Sequence, residues 1–180
     1  MPSTAYITQL NLAHYPELEI LNFGFSSNGQ MDLSVMAYLN AIPGVAAFVV
    51  DCLPNMGASL VANNTVPLVL SIRASHDAAV PLPVVLAESA TYGEEWYNAA
   101  MAKSNADKRA ALRASFEELV AAGDAQLVYA PGDRMLGEGQ RSNTFQVDGT
   151  HPNDLGMHQM FLYWDALLPT VLGLRPPPSP

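Results

Sequence analysis

Apolar positions along the chain switch between short unbroken runs and looser stripes of helical spacing. Ala46-Ala47-Phe48-Val49-Val50 is an unbroken run ending at Asp51, as expected of a parallel strand covered on both faces. Pro83-Val84-Val85-Leu86-Ala87-Glu88 and Gln126-Leu127-Val128-Tyr129-Ala130 read the same way. Glu19-Ile20-Leu21-Asn22-Phe23, short, apolar and followed by Gly24, predicts a further strand ahead of them. Helical spacing predicts helices over residues 4–15, 31–41, 59–76, 106–122 and 153–172. The first carries Ile7, Leu10 and Leu12 and ends before Pro16; the second carries Leu33, Val35, Met36, Tyr38 and Leu39 behind Asp32. The helix over 106–122 places Leu112, Phe116, Leu119 and Val120 on one face and stops at Gly123. Pro67 and Pro169 fall within predicted helices, where a proline kinks the backbone or marks a first turn. Strands and helices thus alternate four times, the signature of a three-layer α/β domain around a parallel sheet. We expect one domain over residues 1–172, followed by a proline-rich tail over 173–180.

Composition narrows the partners. Hydrophobic residues make up 49% of the 180 and charged residues 14%, against a usual charged share of about 25%, so the chain is not of the disordered class. Eight basic against seventeen acidic residues leave a net charge of −9, which repels phosphates and disfavours nucleic acid and anionic membrane. No run approaches the roughly 18–20 apolar residues of a bilayer span, and residues 1–6 carry neither the charge nor the apolar run of a signal peptide. The single cysteine, Cys52, excludes an internal disulfide and a cysteine-rich metal site.

In open parallel sheets the reacting groups gather beyond the C-terminal ends of the strands. Near the chain's end lies Val147-Asp148-Gly149-Thr150-His151-Pro152-Asn153, in which Asp148 and His151 stand three apart. A carboxylate at that distance can hold an imidazole in one tautomer, as a general base toward a hydroxyl requires. The same four residues also read as a turn capped by Asp148, with His151 an ordinary loop residue. Gly24, at a predicted strand end, either lets its backbone N–H approach an oxyanion or makes a turn with Gly29. Asn55 either adds an amide donor to that site or caps the next segment. Glu88 reads as a strand-end charge before it reads as a catalytic acid. His14, His76 and His158 form no set with the spacing of a metal site, and the loop over 132–139 lacks the lysine of a phosphate loop. Met56, Met101, Met135, Met157 and Met160 read as core filling.

Three blocks together resemble the SGNH hydrolase superfamily, the GDSL-type esterases and lipases. They are Leu21-Asn22-Phe23-Gly24-Phe25-Ser26-Ser27-Asn28-Gly29, Val50-Asp51-Cys52-Leu53-Pro54-Asn55-Met56, and Asp148-Gly149-Thr150-His151-Pro152-Asn153-Asp154-Leu155-Gly156. Their order and spacing are similar to a branch with Asn-Leu-Gly-Phe-Ser-Gly-Asn-Gly and Asp-Cys-Leu-Pro-Asn-Met blocks, and the likeness extends over most of residues 1–170. The resemblance implies a flavodoxin-like α/β sandwich and hydrolysis of a small-molecule carboxylic ester, with no metal and no organic cofactor. It implies that His151 is the base that activates a serine, that Asp148 orients it, and that Gly24 and Asn55 are oxyanion donors.

The sequence departs from the family at the first block, a Gly-Asp-Ser or Gly-Thr-Ser ending an N-terminal strand, which has no match in residues 1–180. On that basis we expect a chain that lacks the nucleophile and the first, central strand. The strands at 19–23 and 46–50 would then either close on each other in a four-stranded sheet or leave a gap. Ser26, in Gly24-Phe25-Ser26, is the internal candidate for a substitute nucleophile, although Asn28 stands where the elbow's second glycine belongs. Three readings therefore stand: an ester hydrolase whose nucleophile is outside these residues, a hydrolase using Ser26, and a non-catalytic ligand-binding relic of the same fold.

Overall fold

A computed structural model describes residues 19–80, 82–136 and 143–173. The helix expected over 4–15 lies outside them, as does the proline tail beyond residue 173. Two compact units share the chain. One takes in the described residues up to Gly24, Ala90–Ala102 and those from Gly132 onward; the other takes in Phe25–Ser89 and Lys103–Pro131.

The second unit holds the sheet. Strands β1 (Phe48–Val50), β2 (Val84–Ala87) and β3 (Leu127–Ala130) run parallel in the order β1-β2-β3. Phe48 pairs with Val84, Val84 with Leu127, and Ala87 with Ala130. β2 is central, and Val84, Val85, Leu86 and Ala87 are all wholly buried, which accounts for a run with no polar interruption. Helix α1 (Leu33–Leu39) buries only Met36 of the stripe read from its sequence; Tyr38 is 81% exposed. Helix α2 (Ala58–Ser75) buries Val61, Thr65, Leu68, Val69 and Ile72, a stripe of helical period that enters the core with Leu53, Leu112 and Leu119. Pro67 sits inside α2 without ending it. Pro67 and Asn63 are both exposed, so the carbonyl that the proline leaves unbonded is open to water. Arg73 on α2 clasps Asp124 through Nε (2.8 Å) and Nη2 (3.0 Å) and donates to the Leu82 carbonyl.

Helix α3 (Ala99–Ala121) starts two turns ahead of the start predicted from the sequence. The reason is Asn98, whose Oδ1 accepts the Met101 N–H at 3.1 Å and so caps an alanine-rich first turn. At the other end Gly123 takes φ +100°, and Asp124 N–H closes on the Leu119 carbonyl at 3.1 Å. Leu112 and Leu119 are buried there and Phe116 packs against the core, whereas Val120 is 44% exposed and off the expected face.

Residues 19–23 do not form the expected strand, and among the described residues the sheet has three strands, so neither a fourth paired strand nor a closed-up sheet is seen. A strand needs a ladder partner, and the local alternative wins here: Gly24 N–H bonds to Asn22 Oδ1 at 2.8 Å. Leu21, Phe23 and Phe25 are each more than 40% exposed, so the apolar run is not a buried one.

In the first unit, helix α4 (Asp154–Val171) buries Met157, Met160, Phe161 and Trp164 at helical spacing, with Gly156 on the same face. Met135, Leu136 and Tyr92 are buried in this unit too.

Candidate active site

The loop that carries Asp148 and His151 is built by backbone bonds before any side chain matters. Val147 N–H donates to the His151 carbonyl (2.9 Å), Gln146 bridges to Pro152, and Asn153 N–H donates to the Phe145 carbonyl (3.0 Å). Gly149 makes the reversal at φ +85°. The loop then runs into α4, whose first turn is capped by Asn153: Oδ1 accepts Gly156 N–H at 2.9 Å while Nδ2 donates to the Thr144 carbonyl at 2.8 Å. Gly156 is required there, because a Cβ at that position would lie 2.1 Å from the Phe145 carbonyl oxygen.

Within this frame Asp148 does two jobs. Its Oδ1 accepts the N–H groups of Thr150 (2.9 Å) and His151 (2.8 Å), and its Oδ2 meets His151 Nδ1 at 2.6 Å. These bonds, the His151 amide foremost, pull the Asp148 carboxyl down to about 2, so it is an anion throughout the neutral range. A carboxylate on Nδ1 assigns the proton to that nitrogen and leaves Nε2 as the basic one. Both side chains are about half exposed, so the pair is open to an incoming hydroxyl.

Gly24 and Ser26 are exposed. The Gly24 N–H that would hold an oxyanion is bonded to Asn22 Oδ1, so Asn22 must release it first. No strand leads into Ser26, and the left-handed backbone falls one residue later, at Ser27 (φ 63°). Asn55 ends the short helical turn Leu53–Asn55 after β1. Its carbonyl accepts from Gln30 Nε2 (3.1 Å), and a Cβ on Gly29 would come within 3.2 Å of its Nδ2. Asn55 and the Gly29-Gln30 turn are thus neighbours. Asp148 and His151 belong to the first unit, Ser26 and Asn55 to the second.

Sequence reasoning missed Gln146. It is 3% exposed beside Val147 at 71%, an inversion of polarity that hydropathy cannot signal. Its Oε1 accepts Gly93 N–H at 2.6 Å and its Nε2 donates to the carbonyls of Thr91 and Thr150, both 3.3 Å away. Glu94 N–H also reaches the Gly149 carbonyl at 3.3 Å, so the Asp148–His151 loop is tied to the turn at 91–97.

The other ionisable groups at the strand ends are occupied or quenched. Glu88 is buried after β2 and accepts from Tyr129 Oη, with Arg113 Nη2 3.7 Å and Arg109 Nε 4.0 Å away. Arg113 also stacks 4.0 Å over the Tyr129 ring, and burial followed by the Glu88 bond raises the Tyr129 phenol. Glu88 is therefore part of a charge cluster, in agreement with its reading as a strand-end charge. Burial pushes Asp51 up to about 6, and burial with the adjacent Asp51 charge pushes the Cys52 thiol up to about 11, which denies it thiolate character at neutral pH. Among the described residues no three His, Cys, Asp or Glu side chains gather to hold a metal, and no helix is long and apolar enough to cross a membrane.

Comparison with known proteins gives the geometry a lineage. A Bacteroides ovatus protein assigned as a GDSL-like lipase superposes with a TM-score of 0.85 at 26% identity, over 97% of this chain and 49% of that one. The salicylyl-acyltransferase SsfX3 of a tetracycline biosynthetic pathway superposes with a TM-score of 0.71 at 20% identity, over 98% of this chain and 51% of that one. The chain thus spans about half the length of the solved structures it matches. No curated protein matches it. The described α/β fold with its parallel sheet is that of the SGNH hydrolases, and the GDSL-like lipase/acylhydrolase family matches residues 6–171. The chain belongs to the GDSL-like lipase/acylhydrolase family.

Proposed function

We propose that the protein hydrolyses carboxylic esters of small molecules by a serine–histidine–aspartate route. The observation that carries this reading is the 2.6 Å contact of Asp148 Oδ2 with His151 Nδ1 on an exposed, backbone-braced loop. His151 Nε2 takes the proton of a serine hydroxyl as the oxygen attacks the ester carbonyl, and returns it to the departing alcohol. Asp148 stays ionised and stabilises the imidazolium formed between the two steps. Water then repeats the sequence on the acyl-enzyme. In this reading Gly24 N–H and Asn55 Nδ2 bond the tetrahedral oxyanion, Gly24 exchanging its bond to Asn22 for one to substrate.

Residues 1–180 hold no Gly-Asp-Ser or Gly-Thr-Ser block. The reading therefore assigns the nucleophile to a serine outside this sequence, with Ser26 as the internal alternative. Hydrolysis of p-nitrophenyl acetate by the full-length protein and by two variants separates these. Loss of turnover in Ser26→Ala, on the order of a million-fold, assigns Ser26. Activity kept in Ser26→Ala but lost in His151→Ala assigns a serine elsewhere. Activity kept in His151→Ala overturns the mechanism.

A further inference from the structure

The turn at 91–97 carries more order than a connecting loop needs. Glu95 Oε1 accepts Tyr92 N–H at 2.9 Å, Gly93 N–H is held by Gln146, and Asn98 N–H closes on the Glu94 carbonyl at 2.9 Å. Asn98 Nδ2 also donates to Glu94 Oε1. On this rigid turn stand two large aromatic side chains in the open, Trp96 at 70% exposure and Tyr97 at 59%, edge to face at 5.5 Å. Exposed tryptophan on a braced backbone is a costly arrangement for folding alone and a useful one for binding, since little freedom is left to lose.

Trp96 also walls a cleft. The space beside it measures about 640 Å³, within the roughly 300–1,000 Å³ of small-molecule sites, and its described lining is Thr91, Tyr92, Glu95, Trp96 and Ala102. The lining gives a flat apolar ligand the exposed Trp96 ring to stack on, and its described residues offer no cation to an acid. Glu94 and Glu95 in the same turn, on a chain of net charge −9, repel anions. The cleft is joined to the base: Glu94 N–H bonds the Gly149 carbonyl, and Gln146 spans Thr91, Gly93 and Thr150.

The geometry points to this cleft as the binding site for an uncharged aromatic group of the substrate, with Trp96 as the residue that selects it. The site deepens the esterase reading and depends on it only for the name of the substrate, an aryl ester. Binding itself does not need turnover.

The test uses the ¹⁵N-labelled full chain and two ketones that cannot be hydrolysed, acetophenone and 2-butanone. The chain has two indole N–H groups, Trp96 exposed and Trp164 2% exposed. Acetophenone should shift the Trp96 indole signal saturably and leave that of Trp164 in place, while 2-butanone at the same concentrations moves neither. Trp96→Ala should weaken acetophenone binding, read at the Thr91 and Ala102 amides, at least tenfold. In the full-length enzyme the same variant should raise KM for phenyl acetate about tenfold, hold kcat within twofold, and leave methyl acetate unchanged. No saturable shift, or equal shifts from both ketones, overturns the site. A saturable titration with no esterase activity counts against the esterase reading alone; a working esterase with a flat titration counts against the cleft alone.

Discussion

The Asp148–His151 pair and the cluster around Glu88 are both groups of ionisable side chains, and their surroundings differ in kind. Asp148 and His151 are half exposed, and their hydrogen bonds run to their own loop. Glu88 is buried beside Tyr129, Arg109 and Arg113, with its charge answered from two positions on α3 and one on β3. An exposed pair contributes little to folding, because water solvates its charges nearly as well in the unfolded chain. A buried carboxylate is different: removing Glu88 takes away the acceptor of the Tyr129 hydroxyl and the charge that faces the two guanidinium groups.

Substitutions sharpen this contrast. His151→Ala should lower ester hydrolysis by the full-length protein on the order of a million-fold while leaving urea-unfolding stability within about 0.5 kcal/mol. Glu88→Ala should do the reverse in stability, costing about 3 kcal/mol in the same urea experiment. An unchanged midpoint there would erase the distinction between the two groups. Gly156→Ala probes whether the exposed pair is held from below: the new methyl must displace the Phe145 carbonyl, at about 2 kcal/mol in stability and roughly a hundredfold in kcat/KM as the loop shifts.

Asp51 supplies an intermediate case, an acid pushed up to about 6 by burial and in no ion pair among the described residues. Its folded value lies above its unfolded value, near 3.8. Between those values the unfolded chain releases its proton first, so ionisation costs stability as pH rises, and the full cost is present above pH 6. Asp51→Asn should therefore stabilise the protein by roughly 1–3 kcal/mol at pH 7, and by nothing below about pH 4. Thermal unfolding at the two pH values measures this.

The parts of this structure legible in the sequence are those in which one physical effect dominates. The unbroken run Val84-Val85-Leu86-Ala87 is buried on both faces, and the stripe of Val61, Leu68, Val69 and Ile72 faces one core, so period and composition both point to the observed elements. The Asp148–His151 spacing was legible for the same reason, since three residues around a glycine turn bring the two side chains into contact. Residues 19–23 were not, because an apolar run predicts a strand only where a partner exists. The first two turns of α3 hung on a cap, Asn98, outside any apolar stripe. Gln146 was hidden by competition: three hydrogen bonds outweigh its polarity, and Val147 takes the exposed place instead.

The contact between Gly156 and the Phe145 carbonyl has a consequence for how the molecule opens. With the helix backbone against the base of the loop, and Asn153 bonded to both, the loop has no hinge of its own. It opens only when the first turn of α4 opens. The amides of Val147 and Asn153 should then exchange with solvent in step with that turn, as one cooperative unit, and His151 keeps its orientation for as long as the helix holds.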